Sequence, residues 1–343
     1  MTEQVHPVRT LRQHVLGIIL ILAVTLTWVG SSILTQAIFG SRDYDKPFAL
    51  TFFNTSMFTV YLLGFIFNSS WRQMVSSKSD SPPDPKENPF AHTEHPKFTL
   101  SQVSILALQF APIWALANLF FNLGLRWTSI ASSSIISTLS ALFTLILGTI
   151  YGVERFTLLK VIAVFLNVAG VVIVTFQDVS KSGGESMLGD FMCVLAACMY
   201  AIYTTFLKFN VPSDESLSMF MLFGLVGIFT MTGMIPLLIL LHFLKIETIQ
   251  APDSGTLGMI LLNAFVGTVL SDYLWARSVL LTTPLIATLA ISVSIPLSIC
   301  ADVLLKGVHF SVVYVLGLVL VLIGFALANI GEVPSSDHNI ENQ

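Results

Sequence analysis

Charged residues are scarce in this sequence. Asp, Glu, Lys and Arg make up 10% of its 343 residues, whereas soluble domains carry about 25%. The net charge of −4 is small and no basic patch with interleaved aromatics is present, so nothing indicates nucleic-acid binding. Hydrophobic residues instead reach 54% and the mean hydropathy is +0.81. A soluble core could not bury this much apolar surface, so the composition predicts a polytopic membrane protein.

Cysteine and catalytic motifs are also scarce. The three cysteines Cys193, Cys198 and Cys300 lie in hydrophobic segments without CxxC or Cys/His spacing, so neither a disulfide framework nor a metal site is predicted. The sequence contains no nucleophile elbow, phosphate-binding loop, kinase motif or zinc motif. We therefore expect no enzyme, no cofactor and no ATP-driven pump.

The hydrophobic residues form ten segments, each close to the roughly 20 residues that a membrane-spanning helix needs. The first is too long for a signal-peptide core, so it is predicted to be a permanent span. The sequence thus predicts an all-α membrane protein with ten transmembrane helices. The predicted spans are 15–39, 48–68, 100–124, 128–151, 157–177, 188–207, 216–243, 256–281, 284–305 and 309–330.

The distribution of Lys and Arg predicts the orientation of these spans, because cytosolic loops are enriched in both residues. An even number of spans places both termini on one side. With the N-terminus in the cytosol, ten of the 16 basic residues are cytosolic and six are not. We therefore expect a cytosolic N-terminus (1–14), a cytosolic tail (331–343) and a cytosolic loop at 69–98, which is polar, Pro-rich and predicted to be disordered.

The two halves of the chain resemble each other at an offset of 154 residues. At this offset Thr128 aligns with Thr282, and Gly170 aligns with Gly324. The pattern predicts a first five-helix repeat at 15–177 and a second at 188–330. Five is an odd number, so the repeats have opposite topology in the membrane. Inverted repeats of this kind place a solute site near the bilayer midplane.

Asp272 is the acidic residue that lies well inside a predicted span, in the segment SDYLWARSVLL. A carboxylate at bilayer depth costs roughly 2.5–3.5 kcal/mol on insertion scales and usually faces a cavity or a polar partner. The 154-residue offset aligns it with the neutral Asn118. We expect Asp272 and Asn118 to bind the solute, with Asp272 as a candidate for proton coupling. The alternative is a buried carboxylate bonded to a hydroxyl that helps helices pack.

Four further residues complete the predicted substrate site. Lys208 closes the sixth span beside Tyr203, and it could bind an anionic group such as phosphate or serve as a cytosolic flank. Trp28 lies in the first span and Trp275 lies three residues after Asp272. Arg277 is five positions from Asp272, so the two do not pair along the helix; it is expected to extend toward the cytosolic surface.

Two long segments resemble a known family. The run FTLILGTIYGVERFTLLKVIAVFLNVAGVVIV resembles the fourth and fifth spans of solute carrier family 35, within the drug/metabolite transporter superfamily. The segment GTVLSDYLWARSVLLTTPLIATLAISVSIPLSICAD is similar to the F branch of that family, in particular its fifth member. The resemblance implies an EamA-like fold of ten helices, alternating access and an endomembrane location, in the vacuole, Golgi or endoplasmic reticulum. Fungal relatives of this branch include thiamine-repressible and vacuolar membrane proteins.

The leading hypothesis is a secondary-active transporter of a polar organic metabolite, with a nucleotide sugar, a nucleoside or a thiamine-like cation as candidate solutes. Asp272 suits a cation or a proton, whereas Lys208 suits a phosphate. The alternative is a receptor or scaffold that kept the carrier fold without transport. A polar central cavity would favour the carrier, and a cavity filled by Phe and Leu would favour the scaffold. A lipid bilayer and a second copy in a homodimer are the expected partners.

Overall fold

The protein is helical throughout the part of the chain that the structure describes. The computed structural model describes residues 11–39, 44–67, 98–127, 136–178, 187–211, 217–290, 292–294 and 312–330, and no β-strand occurs in these ranges. The helices are α1 Leu11–Phe39, α2 Pro47–Ser56, α3 Gly64–Phe67, α4 Leu100–Trp127, α5 Leu139–Ile150, α6 Leu158–Asp178, α7 Met187–Asn210, α8 Met219–Phe243, α9 Ser254–Leu262, α10 Ser271–Leu281, α11 284–290 and α12 Val312–Ile330.

Six of these stretches are long and apolar enough to cross a membrane, and each coincides with a predicted span. They are Leu11–Ser31, Pro47–Phe67, Leu100–Gly124, Met187–Asn210, Met219–Phe243 and Ser254–Leu281. Shorter apolar helices, such as Leu139–Ile150 and Leu158–Ile173, lie within the other four predicted spans. The loop 69–98 and both predicted cytosolic ends lie almost entirely outside the described residues.

The largest core cluster joins helices from both halves of the chain. It contains Ile21 of α1, Phe58 of the 3₁₀ segment Met57–Leu63, Phe110 of α4, Phe223 of α8 and Trp275 of α10. These side chains are at most 1% exposed. The aromatic members of this cluster are its largest side chains, and each buries more surface than an aliphatic residue.

Helices α6 and α12 pack closely through two glycines. A Cβ on Gly170 would lie 2.5 Å from the carbonyl oxygen of Gly317, and one on Gly324 would lie 2.7 Å from that of Ala163. Glycine is required at both positions because the two backbones touch, which is how small residues let membrane helices approach each other. Asn167 donates from Nδ2 to the carbonyl oxygen of Val321 at 3.5 Å in the same interface.

A π-helical segment, Asn263–Leu270, connects α9 to α10. The π turn is rare and frequently occurs at functional sites, because it re-aims the side chains around it. Gly267 within this segment lies against α1, where an added Cβ would be 2.4 Å from Oγ of Ser31. The π segment and α1 are therefore in direct contact immediately before Asp272.

Two buried glutamates cap helices from the other half of the chain. Glu247, in the connector between α8 and α9, accepts from the backbone N–H groups of Phe48 and Ala49 at 3.0 and 2.7 Å, at the start of α2. Glu154, between α5 and α6, accepts from the N–H of Leu285 at 2.8 Å, at the start of α11. A carboxylate is favourable there, because the first N–H groups of a helix have no partner within it.

A lysine binds within each of the two connectors, directly to the glutamate in one and to the next residue in the other. Nζ of Lys160 donates to Oε2 of Glu154 at 2.7 Å, and both side chains are almost fully buried. Nζ of Lys46 donates to the carbonyl oxygen of Thr248 at 2.7 Å, one residue after Glu247. We call the contacts around Glu247 the first clasp and those around Glu154 the second clasp.

Candidate functional site

Asp272 lies in the first turn of α10, directly after the π segment, and is 5% exposed. Its carboxylate takes part in no hydrogen bond or ion pair within the described ranges. It lies within electrostatic range of the hydroxyl groups of Tyr61, Tyr200 and Tyr203. Asp272 is therefore a buried acid that faces aromatic hydroxyls from the 3₁₀ segment and α7 rather than a fixed cationic partner.

Four aromatic rings gather one turn from Asp272 and form what we call the aromatic cluster: Trp114, Tyr200, Tyr203 and Trp275. The centroid of the Tyr203 ring lies 4.8 Å from that of Trp114 and 5.3 Å from that of Trp275. Nε1 of Trp275 donates to the hydroxyl oxygen of Tyr200 at 2.8 Å. Because Asp272 and Trp275 are three residues apart, they share one face of α10.

Trp114 has an unused hydrogen-bond donor. Its side chain is 3% exposed, and its buried Nε1 has no hydrogen-bond partner among the described residues. A buried N–H without an acceptor costs about 1–3 kcal/mol. The carboxylate of Asp272 and Nε1 of Trp114 are thus both left without hydrogen bonds among the described residues.

A polar seam joins α1 to the π segment next to Asp272. Nε1 of Trp28 donates to Oγ of Ser271 at 3.2 Å, and Oγ of Ser31 donates to Oδ1 of Asn263 at 2.6 Å. Tyr61 donates from its hydroxyl to the carbonyl oxygen of Val269. These bonds anchor the π segment to α1 and to the 3₁₀ segment, and so fix the position of Asp272.

Asn118 and Lys208 form their hydrogen bonds with backbone carbonyl groups and not with the carboxylate of Asp272. Nδ2 of Asn118 donates to the carbonyl oxygen of Trp114 in its own helix at 3.0 Å, and no hydrogen bond joins it to Asp272. Lys208 is buried and donates from Nζ to the carbonyl oxygens of Val279 and Leu280 at the end of α10, at 3.2 and 2.5 Å. The structure thus brings Asp272, Tyr203, Trp28 and Trp275 together, and places Lys208 about 10 Å further along α10 at 1.5 Å per residue.

Arg277 is half-buried and lies over the ring of Tyr273, with Cζ 6.0 Å from the ring centroid. It forms no ion pair with Asp272, as their spacing along the helix predicted. No group of three or more His, Cys, Asp or Glu side chains suited to a metal occurs in the described residues.

Sequence reasoning missed four residues that the structure singles out, two at this site and two in the clasps. Trp114 and Tyr61 lie in long apolar runs, where an aromatic residue is usually part of the core. Glu247 and Glu154 lie in polar connectors, where a carboxylate is usually solvated. The sequence did contain one signal for Trp114 and Tyr61. Both lie in the middle of a predicted span, and a buried Trp or Tyr normally needs a hydrogen-bond partner for its N–H or O–H group.

Comparison with known proteins identifies the family. The sequence matches the EamA-like transporter family twice, over residues 15–176 and 187–330. The chain belongs to the EamA-like transporter family. It is therefore an integral, multi-pass membrane protein and a transporter, and not an enzyme.

Relatives within the EamA-like transporter family agree with the predicted solute carrier family 35 resemblance. The chain is 37% identical to the uncharacterized transporter C405.03c of Schizosaccharomyces pombe, over 92% of this chain and 96% of that protein. It is 32% identical to solute carrier family 35 member F5 of Mus musculus, over 93% and 77%. It is 30% identical to the uncharacterized vacuolar membrane protein YML018C of Saccharomyces cerevisiae, over 96% and 93%.

A solved structure supports the same fold. It superposes on this chain with a TM-score of 0.61 at 15% identity, covering 94% of this chain and 98% of that chain. The prediction of an EamA-like, all-helical transporter related to the F branch of solute carrier family 35 is confirmed.

Proposed function

We propose that this protein is a secondary-active carrier that moves a polar organic metabolite across an endomembrane by alternating access. The solute is nucleotide-sugar-, nucleoside- or thiamine-like. The observation that carries this proposal is Asp272, a buried carboxylate without a hydrogen bond at the point where helices from both halves meet. Carboxylates within a membrane are costly and mark substrate and proton pathways. Asp272, Asn118, Lys208, Tyr203, Trp28 and Trp275 form the proposed substrate site.

The proposed architecture is ten transmembrane helices in two inverted five-helix repeats, at 15–177 and 188–330. The packing of α6 against α12 supports it. Gly170 lies against Gly317 and Val321, while Gly324 lies against Ala163 and Asn167. Every one of these contacts maps onto its counterpart when 154 is added or subtracted. Such reciprocal contacts are what a two-fold axis between two related halves would generate.

Alternating access is supported by the two clasps. In the proposed topology the connector with Glu247 is on the lumenal side and the connector with Glu154 is on the cytosolic side. Each clasp joins a connector of one half to a helix start of the other half. Opening one clasp while the other stays closed would expose the site to one side at a time, as rocking between inverted repeats requires.

The proposed location is an endomembrane, with both termini in the cytosol. A relative with 30% identity is named a vacuolar membrane protein, which supports the vacuole among the endomembranes. The expected partners are the solute, the bilayer, a proton and a second copy of this chain.

Uptake into liposomes tests the function. Full-length protein in sealed liposomes is screened with labelled nucleotide sugars, nucleosides and thiamine, with and without a pH gradient. We expect saturable uptake of at least one of these solutes, with accumulation driven by the gradient. Asp272→Asn keeps the shape of the side chain but cannot exchange a proton, so it should abolish accumulation while some downhill exchange remains.

Asp190→Asn is the matched control, because Asp190 lies at the first turn of α7 rather than at the aromatic cluster. Both variants are checked for monodisperse, helical protein before assay. Accumulation by Asp272→Asn that keeps its full dependence on the pH gradient would remove Asp272 from the mechanism.

The alternative function is a membrane receptor or scaffold that retains the carrier fold. It predicts a core of Phe and Leu. Phe58, Phe110 and Phe223 do pack against Trp114, but the same cluster also contains two tyrosines and two tryptophans with polar edges. Absence of uptake for every solute, together with saturable binding to the purified protein, would favour this alternative.

A further inference from the structure

We propose that the solute of this protein is an organic cation that carries an aromatic ring, held by Asp272 and the aromatic cluster. This proposal rests on the proposed carrier function and names its substrate class. It selects one of the chemistries that Asp272 and Lys208 leave open, and three independent features of the structure support it.

The first feature is the charge balance around Asp272. No cationic side chain pairs with it in the described part of the chain. Lys208 is bonded to the carbonyl groups at the end of α10, and Arg277 lies over the ring of Tyr273. A charge buried without a partner is strongly unfavourable. A cationic solute would supply the missing partner, whereas a phosphate-bearing solute would be repelled by the carboxylate.

The second feature is the arrangement of the rings. The ring of Tyr203 is inclined by 56° to Trp114 and by 72° to Trp275, so ring faces and ring edges meet. The faces of Trp and Tyr carry negative potential and attract cations. A solute ring that inserts between these side chains would replace their contacts with each other by similar contacts with the solute. Separating the rings of the cluster would therefore cost little packing energy.

The third feature is Nε1 of Trp114. This buried donor has no acceptor among the described residues, and its ring contacts those of Tyr203 and Trp275. A solute with a hydrogen-bond acceptor beside its charged ring, such as a carbonyl oxygen, would satisfy it. A simple tetraalkylammonium ion would not. The site therefore fits an aromatic cation with a polar substituent.

Three probes of nearly equal size test the proposal. They are nicotinamide methylated on its ring nitrogen, which is a cation; nicotinamide, which is neutral; and nicotinate, which is an anion. Binding to full-length protein in detergent is measured by isothermal titration calorimetry. We expect the cation to bind about tenfold or more tightly than nicotinamide, because an ion pair with the buried Asp272 adds to the attraction of the aromatic faces. Nicotinate should bind most weakly.

Two variants, each with a control, test whether Asp272 and Trp114 cause the preference for the cation. Asp272→Asn should remove most of the preference for the cation over nicotinamide, leaving the smaller part that the aromatic faces contribute. Trp114→Phe keeps a ring but removes the donor, so it should weaken the cation several-fold while its preference over nicotinate remains. Asp190→Asn and Trp127→Phe, which alter the same residue types away from the cluster, should leave all three affinities unchanged.

Equal binding of the three probes, no measurable binding of the cation, or preference for nicotinate would overturn the assignment. Uptake of the same labelled probes into liposomes separates it from the carrier function. Uptake that favours nicotinamide or nicotinate overturns the cationic class and leaves the carrier standing. Tight binding of the cation without uptake supports the cationic site and counts against the carrier.

Discussion

Asp272 lies in the first turn of α10, and the oppositely charged amine of Lys208, a residue of α7, lies at the other end of α10. From the sequence alone they favoured different solutes, because a carboxylate suits a cation and an ammonium group suits a phosphate. Of the two, Asp272 is the one without a hydrogen-bonding partner among the described residues. Nζ of Lys208 lies on the carbonyl oxygens of Val279 and Leu280, which are among the groups left unpaired at a helix end. A cation there also compensates the negative end of the helix dipole.

We expect Lys208→Met to act mainly on stability. Loss of the two hydrogen bonds at the end of α10 should lower the free energy of unfolding by about 1.5–3 kcal/mol, the usual contribution of bonds from a charged donor. Thermal unfolding of purified protein in detergent measures it. Lys245→Met, at an exposed position after α8, should leave the melting temperature unchanged.

The opposite outcome would favour the substrate-binding role proposed for Lys208 over a role at the helix end. Unaltered melting of Lys208→Met, combined with weaker binding of phosphate-bearing solutes than of neutral ones, would show that the amine serves a ligand and not the helix end.

At the scale of helices, the sequence predicted the positions of the apolar helices, because these depend on local composition. The long apolar runs at 100–124 and 256–281 are helical in the structure, because a backbone in lipid must satisfy its hydrogen bonds within each segment. The π turn at Asn263–Leu270 could not be predicted, since it arises from contacts with α1 and the 3₁₀ segment rather than from a local pattern. The caps made by Glu247 and Glu154 were also missed, because their partners lie more than 100 residues away in the chain.

The clasps predict local and independent opening. Glutamine can accept at only one of its two terminal atoms, so Glu247→Gln loses one of the two bonds to the start of α2. We expect the amides of Phe48 and Ala49 to exchange with deuterium about tenfold faster, while that of Leu285 is unchanged. Glu154→Gln should show the reverse, with a larger effect because it also removes the charge that pairs with buried Lys160.

Each variant is thus the control for the other, and hydrogen–deuterium exchange followed by mass spectrometry reads both helix starts in one sample. Equal acceleration at both helix starts in both variants would mean that the molecule opens as one unit. The clasps would then not act as separate gates.

At the scale of the molecule, we expect equivalent substitutions in the two halves to change the stability of the protein by similar amounts. Gly170→Ala and Gly324→Ala each place a Cβ within 2.8 Å of backbone in the opposite helix. Both should destabilise the protein by about 1–3 kcal/mol, the usual cost of overpacking, and by similar amounts if the repeat is real. Gly233→Ala in α8, where a Cβ meets nothing within 4 Å, should be neutral or slightly stabilising.

Melting temperatures of the three variants decide the comparison. A large loss for one of Gly170→Ala and Gly324→Ala, with none for the other, would argue against a symmetric α6–α12 interface. Equal decreases in melting temperature for Gly170→Ala and Gly324→Ala, with no change for Gly233→Ala, would show that the two halves also contribute equally to the stability of this interface.

The orientation of the whole molecule in the membrane determines which clasp is on the cytosolic side and which is on the lumenal side. Both termini and the loop 69–98 are predicted to be cytosolic, because ten of the 16 basic residues then lie on that side. A protease site inserted in the loop should be cleaved in intact vesicles whose cytosolic face is outward. A second site inserted after Lys245, beside the first clasp, should be cleaved only after detergent is added. The topology would be inverted if the site after Lys245 were cleaved in intact vesicles and the loop site only after detergent. Glu154 would then lie on the lumenal side and Glu247 on the cytosolic side.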